Sequence, residues 1–278
     1  DSPWGPGRPG WHIECSAMAM KYLGETFDLH AGGMDLQFPH HENEIAQSEG
    51  ATKRPFARFW VHVEHLIIEE EDRGPEKMSK SLGNVYNLQD VVNEGFRPSA
   101  LRFLYLGVHY RKQLRFSWKA MAQSEEALRR LTDFLARLDS LPPRAVNASI
   151  AGRLAKAQEE FGAYIAADLN TSGALSVIYD LVRELNTAMD AGEIGATDAT
   201  AIRDAFERFD KVLGVLALRR AEDEQPPVPV EEIERLITAR RDARLARNFG
   251  EADRIRKDLE TRGIILEDTG STTRWKKK

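Results

Sequence analysis

Cysteine is almost missing: Cys15 stands alone among 278 residues, so no internal disulfide framework can hold this chain together. Long apolar runs are missing too. No stretch approaches the ~20 apolar residues of a membrane-spanning helix, and no signal-peptide pattern opens the chain; the expectation is a cytoplasmic protein that makes no use of a membrane. An excess of positive charge is also missing. Lys and Arg number 39 against 44 Asp and Glu, a net charge of -5, which excludes blanket binding to nucleic acid but leaves room for a local basic surface. Finally, there is no initiator Met. The chain enters directly on DSPWGPGRPGWHIECSAM, a loop rich in Pro and Gly, which is expected of a longer protein whose front is absent.

What is present suits a folded chain of about two domains, with 42% hydrophobic and 30% charged residues. Before Gly107, strand-like runs (FDLHAGG, ARFWVHVEHLII) alternate with helix-like ones (HIECSAMAMKYLG, HHENEIAQSEG), the rhythm of an α/β layer. Beyond it the text is helical. SWKAMAQSEEALRRLTDFLARLDS, SIAGRLAKAQEEFGAYIAA, ALSVIYDLVRELNTAMDAG and ATAIRDAFERFDKVLGVLAL all carry apolar residues three and four apart. LPPRAVN interrupts the first two, and RRAEDEQPPVPVEE reads as a charged, proline-rich linker before a last basic helical unit.

Two places carry chemistry. In FPHHENE, Pro39 suits a first helical turn, which puts His40 and Glu44 on one face and turns His41 about 100° away. Cys15, after the strand-like or loop segment RPGWHIE, can bring a thiolate to that pair. Cys, His and Glu are three zinc-competent donors, and three donors with an open position form the catalytic pattern, although a lone cysteine is more commonly a small buried hydrophobe. The second place is EKMSKSLGN. Lys77 and Lys80 alternate with Ser79 and Ser81, and Gly83 and Asn84 offer a turn and a helix cap. Such a loop can set ammonium and hydroxyl groups over a triphosphate. Gly32 and Gly33 of HAGGMD let backbone approach a ligand closely, and Asp35 is placed to accept from ribose hydroxyls. Near the end of the chain Arg240, Arg244 and Arg247 fall at helical spacing as a stripe fit to track phosphates, and Trp275 could stack on an unpaired base.

These strings together, KMSKS with GWHIECSAM, DLHAGGMDLQFPHHENEIAQ, GVHYRKQLRFS and ADRIRKDLETRGIILEDT…TRW, resemble the cysteinyl-tRNA synthetases, class I aminoacyl-tRNA synthetases, from about Gly7 to Trp275. The resemblance implies ATP-dependent activation of L-cysteine, with Mg2+, and transfer to tRNA(Cys) by a monomer. It implies one Zn2+ on Cys15, His40 and Glu44 that meets the substrate thiol, and a pocket walled by Trp11, His12, His30 and His41. Lys80 matches an ATP-contacting residue. The implied fold is α/β, the second half of a Rossmann-type class I catalytic domain, followed by a mostly α-helical tRNA-binding region. Its parts are residues 1–75, the half catalytic domain; 76–118, the KMSKS loop and stem-contact region; 119–222, a helical bundle; and 231–278, a small anticodon-recognition domain. The family's HIGH motif and a further cysteine ligand have no counterpart here, so the chain alone is expected to be inactive. EEEDRGPE, Glu69 to Glu76, is longer than the family's turn and is expected to bow into solvent. The alternatives are a cysteine ligase of mycothiol synthesis, which lacks the terminal unit, and a non-catalytic tRNA-binding fragment.

Overall fold

A computed structural model describes every residue except 71–73, 80–82, 225–227, 270–271 and 278. The chain divides into two compact units, Asp1–Phe96 with Ala100–Phe209, and Arg97–Ser99 with Asp210–Lys278.

The first unit opens on helix α1 (Trp11–Leu23), which already includes the RPGWHIE residues expected to be strand or loop. Gly24, at φ 92, stops it. Strand β1 (Phe27–Gly33) pairs in parallel with β2 (Ala57–Val63), and the crossover carries the short helix α2 (Met34–Leu36), a wide turn over Gln37–His41, and α3 (Glu42–Thr52). Parallel neighbours need such a crossover, because a hairpin cannot join them. Phe38 is extended ahead of Pro39, so the helical run begins at the proline, as its ring favours.

The apolar run after β2 breaks at Glu64–His65. Strand β3 (Leu66–Glu70) then pairs antiparallel with β4 (Gly74–Lys77) and parallel with β5 (Leu114–Phe116). The acidic stretch is therefore largely a strand hairpin, its residues 71–73 lying outside the described ones. Helices α4 (Leu88–Asn93) and α5 (Pro98–Leu106) flank this sheet. Ile68, Val91, Ala100, Phe116 and Met121 form its buried core.

Four long helices follow: α6 (Trp118–Arg137), α7 (Ala148–Ala166), α8 (Thr171–Asp190) and α9 (Ala196–Leu213). Ser117, Asn147 and Asn170 cap the first three by accepting from main-chain N–H groups of the opening turn. Their stripes close on Leu128, Leu131, Phe134, Ile150, Leu185, Ile202 and Phe206, each at most 3% exposed. Burial of each such side chain contributes roughly 1.5–3 kcal/mol.

In the second unit, Gly214 at φ 63 ends α9 inside what periodicity reads as one helix, and α10 (Leu216–Glu224) starts anew. The Asp210 carboxylate accepts from the N–H groups of Val215, Leu216 and Ala217 at 2.7–2.8 Å, capping that start. The last basic stretch is two helices, α11 (Val230–Leu245) and α12 (Phe249–Thr261), broken at Arg247 and Asn248. Strands β6 (Ile264–Thr269) and β7 (Thr272–Lys277) close it as an antiparallel hairpin over a core of Val228, Ile233, Ile255, Leu259, Ile264 and Leu266.

Candidate metal and nucleotide site

Glu44 is the centre of the first cluster. It lies on α3, fully buried, and neither carboxylate oxygen takes a hydrogen bond among the described residues. Around its Oε2 stand three imidazole Nε2 atoms, of His30 at 3.1 Å, His40 at 3.6 Å and His41 at 4.0 Å. An unpartnered buried carboxylate is costly unless something compensates it. Cys15, His40 and Glu44 bring three donor atoms within 4.8 Å of one another, the set expected from sequence. His30, His41 and Glu44 make a second such group.

Several contacts hold this geometry. Ser16, buried beside Cys15, donates to Gln47 Oε1 at 2.8 Å and ties α1 to α3. His40 Nδ1 lies 2.6 Å from His12 Nδ1, and His41 Nδ1 lies 2.8 Å from His62 Nε2. Each inner imidazole is thus gripped on one nitrogen and presents the other to Glu44, the arrangement in which an outer partner fixes a ligand's tautomer. His41 does not turn away from the pair as expected. At three residues before Glu44 it shares that helix face, and its ring packs on Gly32, where a Cβ would stand 2.7 Å from Cε1. Gly32 therefore makes room for an imidazole. His30 stacks on Trp60 at 4.6 Å, and Trp11, 60% exposed, leans on His40 at the same centroid distance.

Electrostatics follow from this crowding. Burial, then the neighbouring imidazoles of His30, His62 and His40, pulls His41 down to about 4, so it is neutral near pH 7. Burial, and then the Glu44 carboxylate, pushes the Cys15 thiol up. A bound cation reverses that last effect, because a coordinated thiol is deprotonated. The donor set, the orphaned carboxylate and the oriented imidazoles fit a zinc ion.

His62 was not a sequence candidate. It comes to the cluster through the β1–β2 register, which sets it opposite Gly32, and only its place in the HV alternation of ARFWVHV hinted at this. Asp35 is exposed; its Oδ1 lies 3.5 Å from His65 Nε2 and folds back over Gly33, where a Cβ would meet it at 2.5 Å.

In the phosphate loop, Lys77 ends β4 and is exposed, Met78 packs on the core of the three-stranded sheet, and Ser79 is half-buried. Lys80 and Ser81 lie outside the described residues. Asn84 is not a helix cap: α4 is capped by Asn87, whose capping box with Asp90 is complete.

The arginine stripe is not a stripe. Arg240 is 5% exposed and donates to both oxygens of Asp268 at 2.9 and 2.8 Å, and Arg244 donates to the same carboxylate at 3.1 Å. Arg240 holds the Asp268 carboxyl well below the usual carboxylate range, with help from Thr273 and Arg244. Arg247 sits past the end of α11 at φ 57, exposed. Trp275 packs on the core of this unit and donates Nε1–H to Glu234 at 3.2 Å, so its ring is a packing element.

Residues 1–126 match the model of the class I (C) tRNA synthetase catalytic domain, 160–217 the DALR domain, and 228–275 the cysteinyl-tRNA ligase anticodon binding domain. The chain is 48% identical over 279 residues to the cysteine–tRNA ligase of Solibacter usitatus, covering all of this chain and 58% of that protein. Against the ligase of Symbiobacterium thermophilum it is 47% identical, covering 99% and 58%, and against that of Geobacter sulfurreducens 43%, covering 100% and 60%. The chain thus spans a little over half the length of these curated relatives. In fold it is similar to the LeuRS of Agrobacterium radiobacter K84, solved as a ternary complex with tRNA and LeuAMS, at a TM-score of 0.51 and 19% identity, over 69% of this chain and 27% of that one. The chain belongs to the cysteine–tRNA ligase family of class I tRNA synthetases.

Proposed function

We propose that this chain is part of a cytoplasmic, monomeric enzyme that activates L-cysteine with ATP and Mg2+ and transfers it to tRNA(Cys). The cysteine carboxylate attacks the α-phosphorus of ATP, the bond to the bridging oxygen breaks, and pyrophosphate leaves. A 3′-terminal ribose hydroxyl of the tRNA then attacks the activated carbonyl, and AMP departs with the bonding pair. Lys77 and Lys80 offset charge on the phosphates and the Ser79 and Ser81 hydroxyls donate hydrogen bonds to them, while Gly32, Gly33 and Asp35 face the nucleotide. Residues 1–75, 76–118, 119–222 and 231–278 divide the work as half catalytic domain, KMSKS loop with stem contacts, helical bundle and anticodon-recognition domain.

The observation that carries this reading is the buried, unpartnered Glu44 carboxylate facing Cys15 and His40. Zinc held by these three residues supplies, when bound, a soft Lewis-acid position that prefers a thiolate to an alcohol. His12 orients His40, and Trp11 and His30 wall the pocket. Serine is the competitor to exclude, and shape alone rejects such a near-isostere by only ~10²-fold. Arg244 and Arg247, both exposed, serve the tRNA backbone. The anticodon-binding match over 228–275 supports tRNA as acceptor rather than a small amino sugar.

The test is ATP–pyrophosphate exchange with cysteine against serine, alongside tRNA gel shift, on the chain and on a protein completed to the relatives' length. Cysteine-dependent exchange with serine at background is expected of the completed protein. A completed protein that holds no zinc, or that uses serine equally well, would end this reading.

A further inference from the structure

One buried amide reaches across the phosphate loop. The Asn84 side chain is 3% exposed; its Oδ1 accepts from the Ser79 N–H at 2.7 Å and its Nδ2 donates to the Lys77 carbonyl at 3.3 Å. A side-chain amide carries one acceptor and one donor group, so it can stand in for a strand partner's peptide unit against two main-chain groups of an extended segment. Asp would lose the donor and Ser the reach. Gly83, at φ 67 with nothing within 4 Å of a Cβ position, lets the chain turn back so that Asn84 can face residues 77 and 79.

A second restraint acts from the opposite side. Met78, between the two bridged residues, packs on the core of Ile68, Val91, Ala100, Phe116 and Met121. Side chains alternate along extended backbone, so an inward Met78 sends Lys77 outward. The main chain at 77–79 is therefore held by an apolar anchor beneath and an amide latch beside it, while the Lys77 side chain stays exposed. α4 does not need Asn84, having its own cap in Asn87.

We propose that Asn84 is a positioning residue for adenylation: its buried amide fixes the main chain of Lys77 and Ser79 and so aims the Lys77 ammonium at the phosphates of ATP. This rests on the adenylation reading above. Hydrogen exchange at the Ser79 amide tests the latch by itself, in the chain as it stands. N84A is expected to speed that exchange by about tenfold or more, the worth of a buried hydrogen bond. N84D keeps the acceptor and is expected to retain much of the Ser79 protection while losing the bond to Lys77. An unchanged Ser79 amide in N84A overturns the latch.

In a protein completed to the relatives' length, both variants are expected to raise KM for ATP in pyrophosphate exchange by about tenfold. KM for cysteine and zinc content should stay close to the parent, and the melting temperature should fall only by the several degrees that one or two buried hydrogen bonds are worth. A general loosening would move all of these together. A released Ser79 amide with KM for ATP unchanged overturns the positioning role. A completed parent inactive in exchange removes the adenylation reading, and the positioning role with it, while the amide result still decides the latch.

Discussion

Two buried charged side chains, one in each unit, differ in what they face. Glu44 is fully buried and its oxygens accept no hydrogen bond among the described residues. Arg240 is almost as buried, yet Asp268 takes two of its N–H groups. A buried guanidinium held by a carboxylate is part of the structure, whereas a buried carboxylate that faces imidazoles rather than a fixed cation and accepts no hydrogen bond is costly and points to something else completing the site. The surroundings differ too. Glu44 sits among the imidazoles of His30, His40 and His41, with the exposed Trp11 leaning on His40, and Arg240 lies between a helix and a hairpin that share one apolar core.

The sharpest way to break the comparison is to neutralise each carboxylate. E44Q should weaken zinc binding on the order of 10³-fold, beyond the ~10–100-fold that loss of an outer partner costs. Competition with a chromophoric chelator reads this directly. The same change should leave the metal-free protein as stable as the parent or more so, because the buried carboxylate it removes accepts no hydrogen bond and faces imidazoles rather than a fixed cation. D268A should do the opposite. It strands the Arg240 guanidinium and should cost about 2–3 kcal/mol in urea unfolding, less than a fully buried pair because Asp268 is 39% exposed. If E44Q destabilises the metal-free protein as D268A does, Glu44 is structural and the contrast fails.

Sequence made the first of these charges legible and hid the second. His40 and Glu44 are four apart in one helical run, and Cys15 is the chain's sole thiol, so spacing and donor chemistry offered the three as a set, and the fold brings their donor atoms together. His62 escaped because its role depends on which residue of β1 it stands opposite, and a strand's own pattern does not contain its register. Arg240 was misread because its partner lies 28 residues on, in a hairpin that helical periodicity could not foresee. FDLHAGG matched β1 to the residue, whereas Gly214 split a continuous apolar period that tolerated it on paper. The phosphate loop stood out as a string, but the inward turn of Asn84 depends on Gly83 and on the core beneath Met78.

A pH series sharpens the contrast at intermediate size. Burial and neighbouring imidazoles hold His41 at about 4 in the folded protein, against about 6.5 for an unperturbed imidazole. The folded state thus refuses a proton that the unfolded state accepts. Stability is fully present above pH 6.5, is lost as pH falls from there, and levels off below 4. Between pH 7.5 and 5 the metal-free protein should lose about 2 kcal/mol from this group. H41N should flatten that part of the profile. An unchanged slope in H41N would assign it to other groups.

The smallest effect separates packing from recognition in the C-terminal unit. Trp275 touches the Ile233–Leu259 core and spends its N–H on Glu234, an exposed carboxylate. W275F keeps an aromatic ring in the core and loses one exposed hydrogen bond, so it should cost about 1 kcal/mol or less. Because the ring is already engaged, tRNA affinity by gel shift should stay within about twofold of the parent. R247A should weaken binding more and reduce its salt dependence, since Arg247 is exposed and has no ion-pair partner among the described residues. A W275F protein that folds normally but releases tRNA would move the indole from the core to the interface. The distinction drawn between Glu44 and Arg240 would then not extend to aromatic side chains, because a ring with its N–H satisfied still has a face to offer a base.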